Sequence, residues 1–422
     1  MSKDNLVENK EQREVVYDID QSYGAIVKRQ FNKNRAAVWS LRFLVVIIVI
    51  GLLAPILAND TPLYAKYKGE TYFPAFREIA VGFGMAKWQP EMKKIIDWKT
   101  ATYESVVWAP VPYAQDEFDL RNAHFKGPFD NQNIESMRWK HWLGTDETGH
   151  DLLSGMLHGT TIAVKVGVVS MSISSFIGII FGAIAGFYGD DRLKSSWFKV
   201  LLNILFLPIA FFYALKLGLL GIIAFFVLMI IPNSLGSLVE KMGLFKTKIN
   251  IPLDLLLMRF IEVFSSIPKM LLILTIVAIS KPSIMLLMVV IGLTSWTGIA
   301  RFTRAEFLRV RNLEYMEAAQ SLGFGELRSI FIHALPNALA PVLVAIAFGV
   351  AGAILTESSL SFLGIGVEPG IMTWGKLLTS ARSNFAAWWL AIIPGFAIFV
   401  TVTIYNLIGE GLTDALDPKM KQ

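Results

Sequence analysis

The chain has 422 residues, 54% of them hydrophobic and only 17% charged, with a mean hydropathy of +0.51. Soluble globular chains carry about 25% charged residues, so this composition excludes them, and it excludes disordered and collagen-like chains as well. Zero Cys rules out disulfides, thiolate metal sites and a cysteine nucleophile, and five His leave little material for a metal cluster. The net charge of +5 matters mainly through where the positive residues lie. These numbers define an all-α polytopic membrane protein.

A membrane-spanning helix needs about 20 mostly apolar residues. Residues 38–58 qualify, with Arg42 alone charged and near one face, where it can snorkel. The long polar tail before it, and Ile56 in place of a small residue ahead of Ala58, make it an uncleaved anchor. Further apolar runs lie at 161–188, 199–215, 217–235, 253–279, 283–300, 338–356 and 388–407. With the pair around Lys216 there are eight spans, and without it six.

Lys and Arg in the short links set the orientation. Lys28, Arg29, Lys33 and Arg35 precede the first span, and Arg192, Lys194 and Lys199 follow the second. Lys241, Lys246 and Lys248 precede Pro252, and Arg301, Arg304, Arg309, Arg311 and Arg328 fill the link after residue 300. The turns at Lys216 and Lys281 carry one positive residue each. A cytoplasmic N-terminus puts every basic link inside, with either six or eight spans, and leaves both chain ends inside. Residues 59–150 are then extracytoplasmic. Their Trp98, Trp108, Pro110, Pro112 and Tyr113 predict a folded outer region.

Ser170, Ser174, Gly178, Gly182 and Gly186 recur every fourth residue, a stripe of small side chains along one helix face. Such stripes let backbones approach closely in lipid. Ala345, Gly349 and Ala353 repeat the device, and Pro268 and Pro394 should kink their spans. In the basic link, Glu314–Leu322 reads as a helix stopped by Gly323, and Glu326–Leu335 as a second short helix ended by Pro336. Ala318 and Ala319 would let another surface approach, and Glu317 would offer it a charge. On physical grounds a docking element and a solvated loop both remain open.

The run Glu317-Ala318-Ala319, then Gly323, then Leu335-Pro336 resembles the E-A-A-x3-G-x9-I-x-L-P pattern of binding-protein-dependent ABC transporter permeases. His333 stands where the general pattern has Ile, as it often does in the peptide and nickel branch. His141-Trp-Leu-Gly-Thr-Asp146-Glu-Thr-Gly149-His-Asp151 is similar to the family's segment before the second span. Glu357 to Gly366 is similar to its E-x-S-L-S-F-L-G-x-G run, and Asn406 to Pro418 to its C-terminal signature. Four motifs in order identify the C-type permease subunit of an oligopeptide importer. Tyr72-Phe-Pro74 and Trp108 to Tyr113 are similar to the microcin C-type branch. His150 replaces the usual Arg, so any salt bridge of that Arg is in question. An apolar insertion of about sixty residues between Gly189 and Pro252 is foreign to typical members.

The resemblance implies a type I ABC importer-like transmembrane domain with six core helices plus an extra hairpin. It divides the chain into a cytoplasmic tail (1–37), a first transmembrane helix (38–58), the outer region (59–150), the permease domain (151–412) and a cytoplasmic tail (413–422). Within the permease domain lie the inserted hairpin (190–251) and an ATPase-coupling loop (301–337). It implies a bacterial plasma-membrane location and a homologous second permease, two ATP-binding subunits and an outer solute-binding protein as partners. No nucleic acid is implied. No cofactor is bound by this chain; ATP and Mg belong to the ATPase subunits. Glu317, Ala318, Ala319, Gly323, Leu335 and Pro336 are the expected ATPase-docking residues, and no residue is catalytic or holds a metal. The alternative is a nickel or other small-solute permease of the same family.

Gly370 to Leu377 falls short of a phosphate-binding loop, because Leu377 replaces the hydroxyl residue that would hold magnesium and no strand precedes it. Lys269, Glu262 and Glu357 are candidate pathway-lining residues, with Glu262 a possible partner of Lys269 seven positions on. Lys165, four residues into its apolar run, reads as interfacial in preference to pore-lining. A gradient-driven secondary transporter would need an intramembrane acid or His relay that no pair of spans offers. A membrane hydrolase would need a G-x-S-x-G, H-E-x-x-H or paired-carboxylate motif.

Overall fold

A computed structural model describes residues 23–416 apart from 96, 244 and 246. Most of both tails, with Lys246, Asp417 and Pro418, lies outside the described residues. The spanning elements are α2 (Arg35–Leu57), α4 (Leu152–Tyr188), α5 (Trp197–Lys216), α6 (Leu219–Lys241), α9 (Ile284–Val310), α12 (Leu335–Phe362) and α14 (Trp388–Leu416), each long and apolar enough to cross a bilayer. The pair α7 (Leu253–Ser265) and α8 (Lys269–Ile279) meets the same length and apolarity only when the two helices are taken together. The single kinked span expected over 253–279 is thus two helices. Pro268 lacks an N–H and its ring disfavours helical geometry at Ile267, so the break falls there. Pro55, Pro208, Pro232, Pro341 and Pro394 lie inside helices.

The chain divides into two units. The first comprises residues up to 177, 267–299 and from 339 onward. Here α1 (Tyr23–Phe31) and α2 pack on α14. Asn34 accepts the Ala37 N–H as the α2 cap and donates to Asp414 Oδ2 at 3.0 Å, pinning the start of α2 to the end of α14. A Cβ on Gly411 would stand 2.2 Å from the Ala37 Cβ, so the two helices meet at backbone distance. The α4 stripe meets α9: Ser170 donates to the Met288 carbonyl at 2.8 Å, and Gly292 is pressed against Ile173 and the Ser170 carbonyl. Gly349 of the second stripe receives the Met171 side chain.

The region between α2 and α4 is folded. Strands β1 (Tyr64–Tyr67), β2 (Glu70–Tyr72) and β3 (Ser105–Val107) form an antiparallel sheet in the order β2-β1-β3, followed after β2 by α3 (Pro74–Gly82). Glu78 of α3 accepts from Asn59 and Thr61, fastening α3 to the end of α2. Further on, His141 is fully buried between Asp151 (Nδ1 to Oδ2, 2.8 Å) and Asp119 (Nε2 to Oδ2, 3.1 Å), stacked on Tyr113. Gly149 has φ +90, and a Cβ there would collide with the Asp119 carbonyl at 2.2 Å, so only glycine brings Asp119 to His141. His150, the departure from the family pattern, bonds Asp146 at 3.0 Å and Thr148 at 2.7 Å. Trp389 of α14 donates to the Thr145 carbonyl at 3.1 Å and ties this motif to the helices.

The second unit comprises 178–266 and 300–338. Gly182 and Gly186 continue the α4 stripe against the backbone of Ala300 and Arg304 and the side chains of Thr303 and Phe307. Helices α5 and α6 form a hairpin packed chiefly on itself, with most large side chains exposed. Asn203 and Asn233 exchange amide hydrogen bonds, Lys199 pairs with Glu240 at 2.6 Å, and Gly236 leaves room for the Lys199 stem. Strands β4 (Lys194–Ser196) and β5 (Lys248–Asn250) pair antiparallel and bring the two ends of the insertion together. Asp254 in the first turn of α7 grips Arg304 with both carboxylate oxygens.

Burial alone pushes His141 down, but hydrogen bonds to Asp119 and Asp151 and their charges outweigh it and hold the imidazolium above its ordinary value. Burial likewise pushes Asp119 up, but bonds from His141 and Asn122 bring it down to about 2. The depressed Asp119 contributes stability above its ordinary value of 3.8 that is lost as pH falls towards 2. The raised His141 contributes stability present in full below 6.5 and lost as pH climbs through its elevated value. The amide protection factors of residues 119–151, with the intrinsic pH dependence of exchange divided out, should therefore be largest between about pH 4 and 6.5. In His141→Gln, the His141 part of the alkaline loss should disappear and protection at pH 5 should fall.

Candidate functional site

The segment between α9 and α12 is built on a small apolar core of its own unit. Helix α10 (Glu314–Ser321) begins with Glu314 and Glu317 in its first turn, where carboxylates suit the positive helix end. Its Met316 and Ala319 turn inward, three residues apart on one face. Met316 joins a cluster with Phe187, Phe307, Val310, Ile330, Ala334 and Ala338, and Ala319 is buried as well. The opposite face presents Glu314, Glu317, Ala318, Ser321 and Leu322 to the exterior. Arg311, just before α10, reaches the Gly186 and Phe187 carbonyls (3.4 and 3.5 Å), setting a cation at the end of α4.

Helix α10 stops by backbone geometry. Gly323 has φ +80, and the Phe324 N–H turns back to the Ala319 carbonyl at 3.1 Å, a six-to-one closure that needs a left-handed residue. Phe324 is then sandwiched. The His333 ring stacks on one contact at 5.6 Å and 5°, and the Arg328 guanidinium lies over the ring at 4.6 Å. The turn is thereby clamped to the next helix.

That next helix differs from expectation. The short helix α11 (Glu326–Arg328) passes through a π-helical stretch, Ser329–Ala334, directly into α12, so Pro336 does not end it. The Leu335 N–H bonds back five residues to Ile330. A regular turn would set the Pro336 ring against the Ile332 carbonyl; the wider turn makes room for it. Asn337 donates to the His333 carbonyl at 2.8 Å, filling part of the broken ladder.

Of the residues singled out from sequence, Glu317, Ala318 and Gly323 are exposed together on this segment. Ala319 is 5% exposed and packs inward, so only Ala318 of the alanine pair is open to another surface. Leu335 is half-buried beside the cluster and Pro336 is exposed. Leu322 (74% exposed), Leu327 (67%) and Phe331 were missed. Their signal was large apolar residues around a glycine in a link that a plain solvated loop would make polar.

The three pathway candidates are not brought together. Glu262 pairs with Arg259 at 2.7 Å, while Lys269, beyond the break at Pro268, donates to Ser295 at 2.8 Å. The expected pairing of Glu262 with Lys269 needed an unbroken helix and is not made. Glu357 is 1% exposed and accepts from Ser361 at 2.6 Å and Ser358 at 3.2 Å. Helix α13 (Trp374–Ser380) covers it, with the Gly375 backbone against Ser358 and Ser361. Lys376 of the phosphate-loop look-alike bends back to the Ile371 carbonyl at 2.9 Å. Among the described residues no cluster of three or more His, Asp or Glu could hold a metal ion.

With seven helices among the described residues long and apolar enough to cross a bilayer, the chain is a multi-pass membrane protein. The chain belongs to the family of binding-protein-dependent transport system inner membrane components, whose pattern matches residues 234–422. Residues 22–74 match the N-terminal transmembrane domain of oligopeptide transport permease C. The chain is 29% identical over 393 residues to the inner membrane ABC transporter permease protein YejE of Escherichia coli, covering 92% of this chain and 95% of that one. It is 32% identical over 289 residues to the di/tripeptide transport system permease protein DppC of Pseudomonas aeruginosa (68% and 75% covered). It is 29% identical over 350 residues to the oligopeptide transport system permease protein OppC of Haemophilus influenzae (80% and 90%). These are transport subunits, not enzymes, and permeases of such systems work with partner chains.

The clamp around Phe324 can be tested by itself. Phe324→Ala should speed proteolysis between Leu322 and Arg328 several-fold, whereas Leu327→Ala, an exposed neighbour, should leave the rate unchanged.

Proposed function

We propose that this chain is the pore-forming permease subunit of an ATP-driven importer of oligopeptides, with α10 as the element that docks on a separate ATPase subunit. The peptide substrate is supported by the matched relatives, and the orientation by the basic links, which place both ends and the α10 segment in the cytoplasm. A homologous permease, two ATP-binding subunits using ATP and Mg, and an outer solute-binding protein complete the assembly. The bacterial plasma membrane is its site.

One observation carries the docking reading: α10 has an inward face, with Met316 in the core cluster and Ala319 buried, and an outward face of Glu317, Ala318 and Leu322 with no partner among the described residues. An acidic residue beside exposed apolar side chains suits a protein surface better than solvent. The clamp and the continuous run from Glu326 to Phe362 give any push on α10 a stiff route into a spanning helix. Such coupling needs two packings of the bundle that ATPase closure favours unequally.

The absence of Cys makes the test clean. Ala318→Cys carrying a short photo-cross-linker in membrane vesicles should yield an adduct with a P-loop ATPase. Ala319→Cys, facing inward, should label poorly and give none. Labelling of Ala318→Cys without an ATPase adduct would sink the docking role. Glu317→Lys should abolish ATP-dependent uptake while membrane insertion stays normal.

A further inference from the structure

A cavity of about 500 Å³ lies within the first unit, between the end of α2, the first turns of α4 and the folded region joining them. That volume is in the range of small-ligand sites. Its charged lining comes from two segments: Lys165 from α4, and Glu78 and Asp116 from the α2–α4 region. Glu78 is engaged by Asn59 and Thr61, whereas Lys165 and Asp116 are exposed and, among the described residues, make neither a hydrogen bond nor an ion pair.

Depth decides what Lys165 is for. Helix α4 begins at Leu152, nine residues before the apolar run read from sequence, so Lys165 is further along it than that run implied. Thr161 donates to the Gly51 carbonyl at 2.6 Å, and Gly51 is itself six residues inside the end of α2 at Leu57. Adding the four residues from Thr161 to Lys165 puts the Lys165 backbone about 15 Å along the helices from the end of α2, and its side chain, directed back towards the start of α4, reaches the cavity beside Ala58 and Asn59. An unpaired charge beside apolar spans is costly against lipid and belongs in a water-filled space. His158, one turn above Thr161, donates from Nε2 to the Ala58 carbonyl at 3.0 Å, which leaves Nδ1 without a proton in the neutral ring.

We propose that this cavity is a subsite for the C-terminal carboxylate of a peptide in transit, held by Lys165, with Asp116 facing positive charge on the same ligand. The proposal rests on the reading of the chain as a peptide permease that opens outward on the α2–α4 side. An ammonium and a carboxylate lining one cavity, from two different segments, match the separated charges of a zwitterion. A charge-assisted bond to a carboxylate corresponds to about tenfold or more in affinity.

The test uses the complete complex, with its ATPases and binding protein, in vesicles supplied with tetra-alanine or tetra-alanine amide. Lys165→Met should raise the KM for tetra-alanine about tenfold, leave that for the amide unchanged and leave peptide-free ATP hydrolysis intact. Lys165→Arg should retain most of the wild-type KM. An unchanged KM, or an equal loss for both peptides, would overturn the subsite while wild-type uptake of tetra-alanine keeps the transport reading standing. An effect that appears only with anionic phospholipid in the vesicles, and equally for both peptides, would assign Lys165 to a lipid headgroup and overturn it too. Failure of the wild-type complex to take up either peptide would defeat the peptide reading itself.

Discussion

Everything in the bundle depends on how closely α4 and α9 can approach. Lipid is as apolar as a leucine side chain, so helices gain little from hiding hydrophobic surface from one another and must gain from backbone proximity. Ser170 and Gly292 provide it in one unit, Gly182 and Gly186 in the other, down to hydroxyl-to-carbonyl and glycine-to-carbonyl contacts. A single added methyl at Gly186 would meet the Phe307 Cβ at 2.5 Å, with no flexible chain end to give way. Phe307 belongs to the same small core as Met316. The packing that holds two spans together is therefore also what positions the candidate docking helix.

The same core explains the division of labour within α10. A helix of eight residues is too short to persist in water by propensity alone. Met316 and Ala319 anchor it, the reversed turn at Gly323 closes its end, and the Phe324 clamp fixes its exit. In the proposed importer this would make α10 a rigid lever whose free face is available because its other face is fully spent.

Features written in local spacing were legible in the sequence. The four-residue stripe needs only helical periodicity, and the stop at Gly323 needs only a left-handed residue after a run of helix formers. What depended on distant partners was not legible. Ala319 looks as available as Ala318 in the sequence, and only the fold buries it. Pro336 reads as a terminator because the π-turn that accommodates it leaves no composition signal. The first turns of α4 were hidden by polar Ser154, His158 and Thr160, whose bonds go to the Tyr113, Ala58 and Met156 carbonyls. The Asp119–His141–Asp151 cluster spans more than thirty positions and is assembled by the turn at Gly149.

The hairpin of α5 and α6 has a consequence for how the chain is made. Its amide groups at Asn203 and Asn233 satisfy each other, the half-buried Lys199–Glu240 pair joins its own two arms, and β4 with β5 ties its two ends at a single place. Emerging from the ribosome, it carries every polar partner it needs before α7 exists. It can enter the bilayer as a finished unit while the later spans are still being synthesised, so an addition of this size burdens neither the insertion order nor the assembly of the helices that follow.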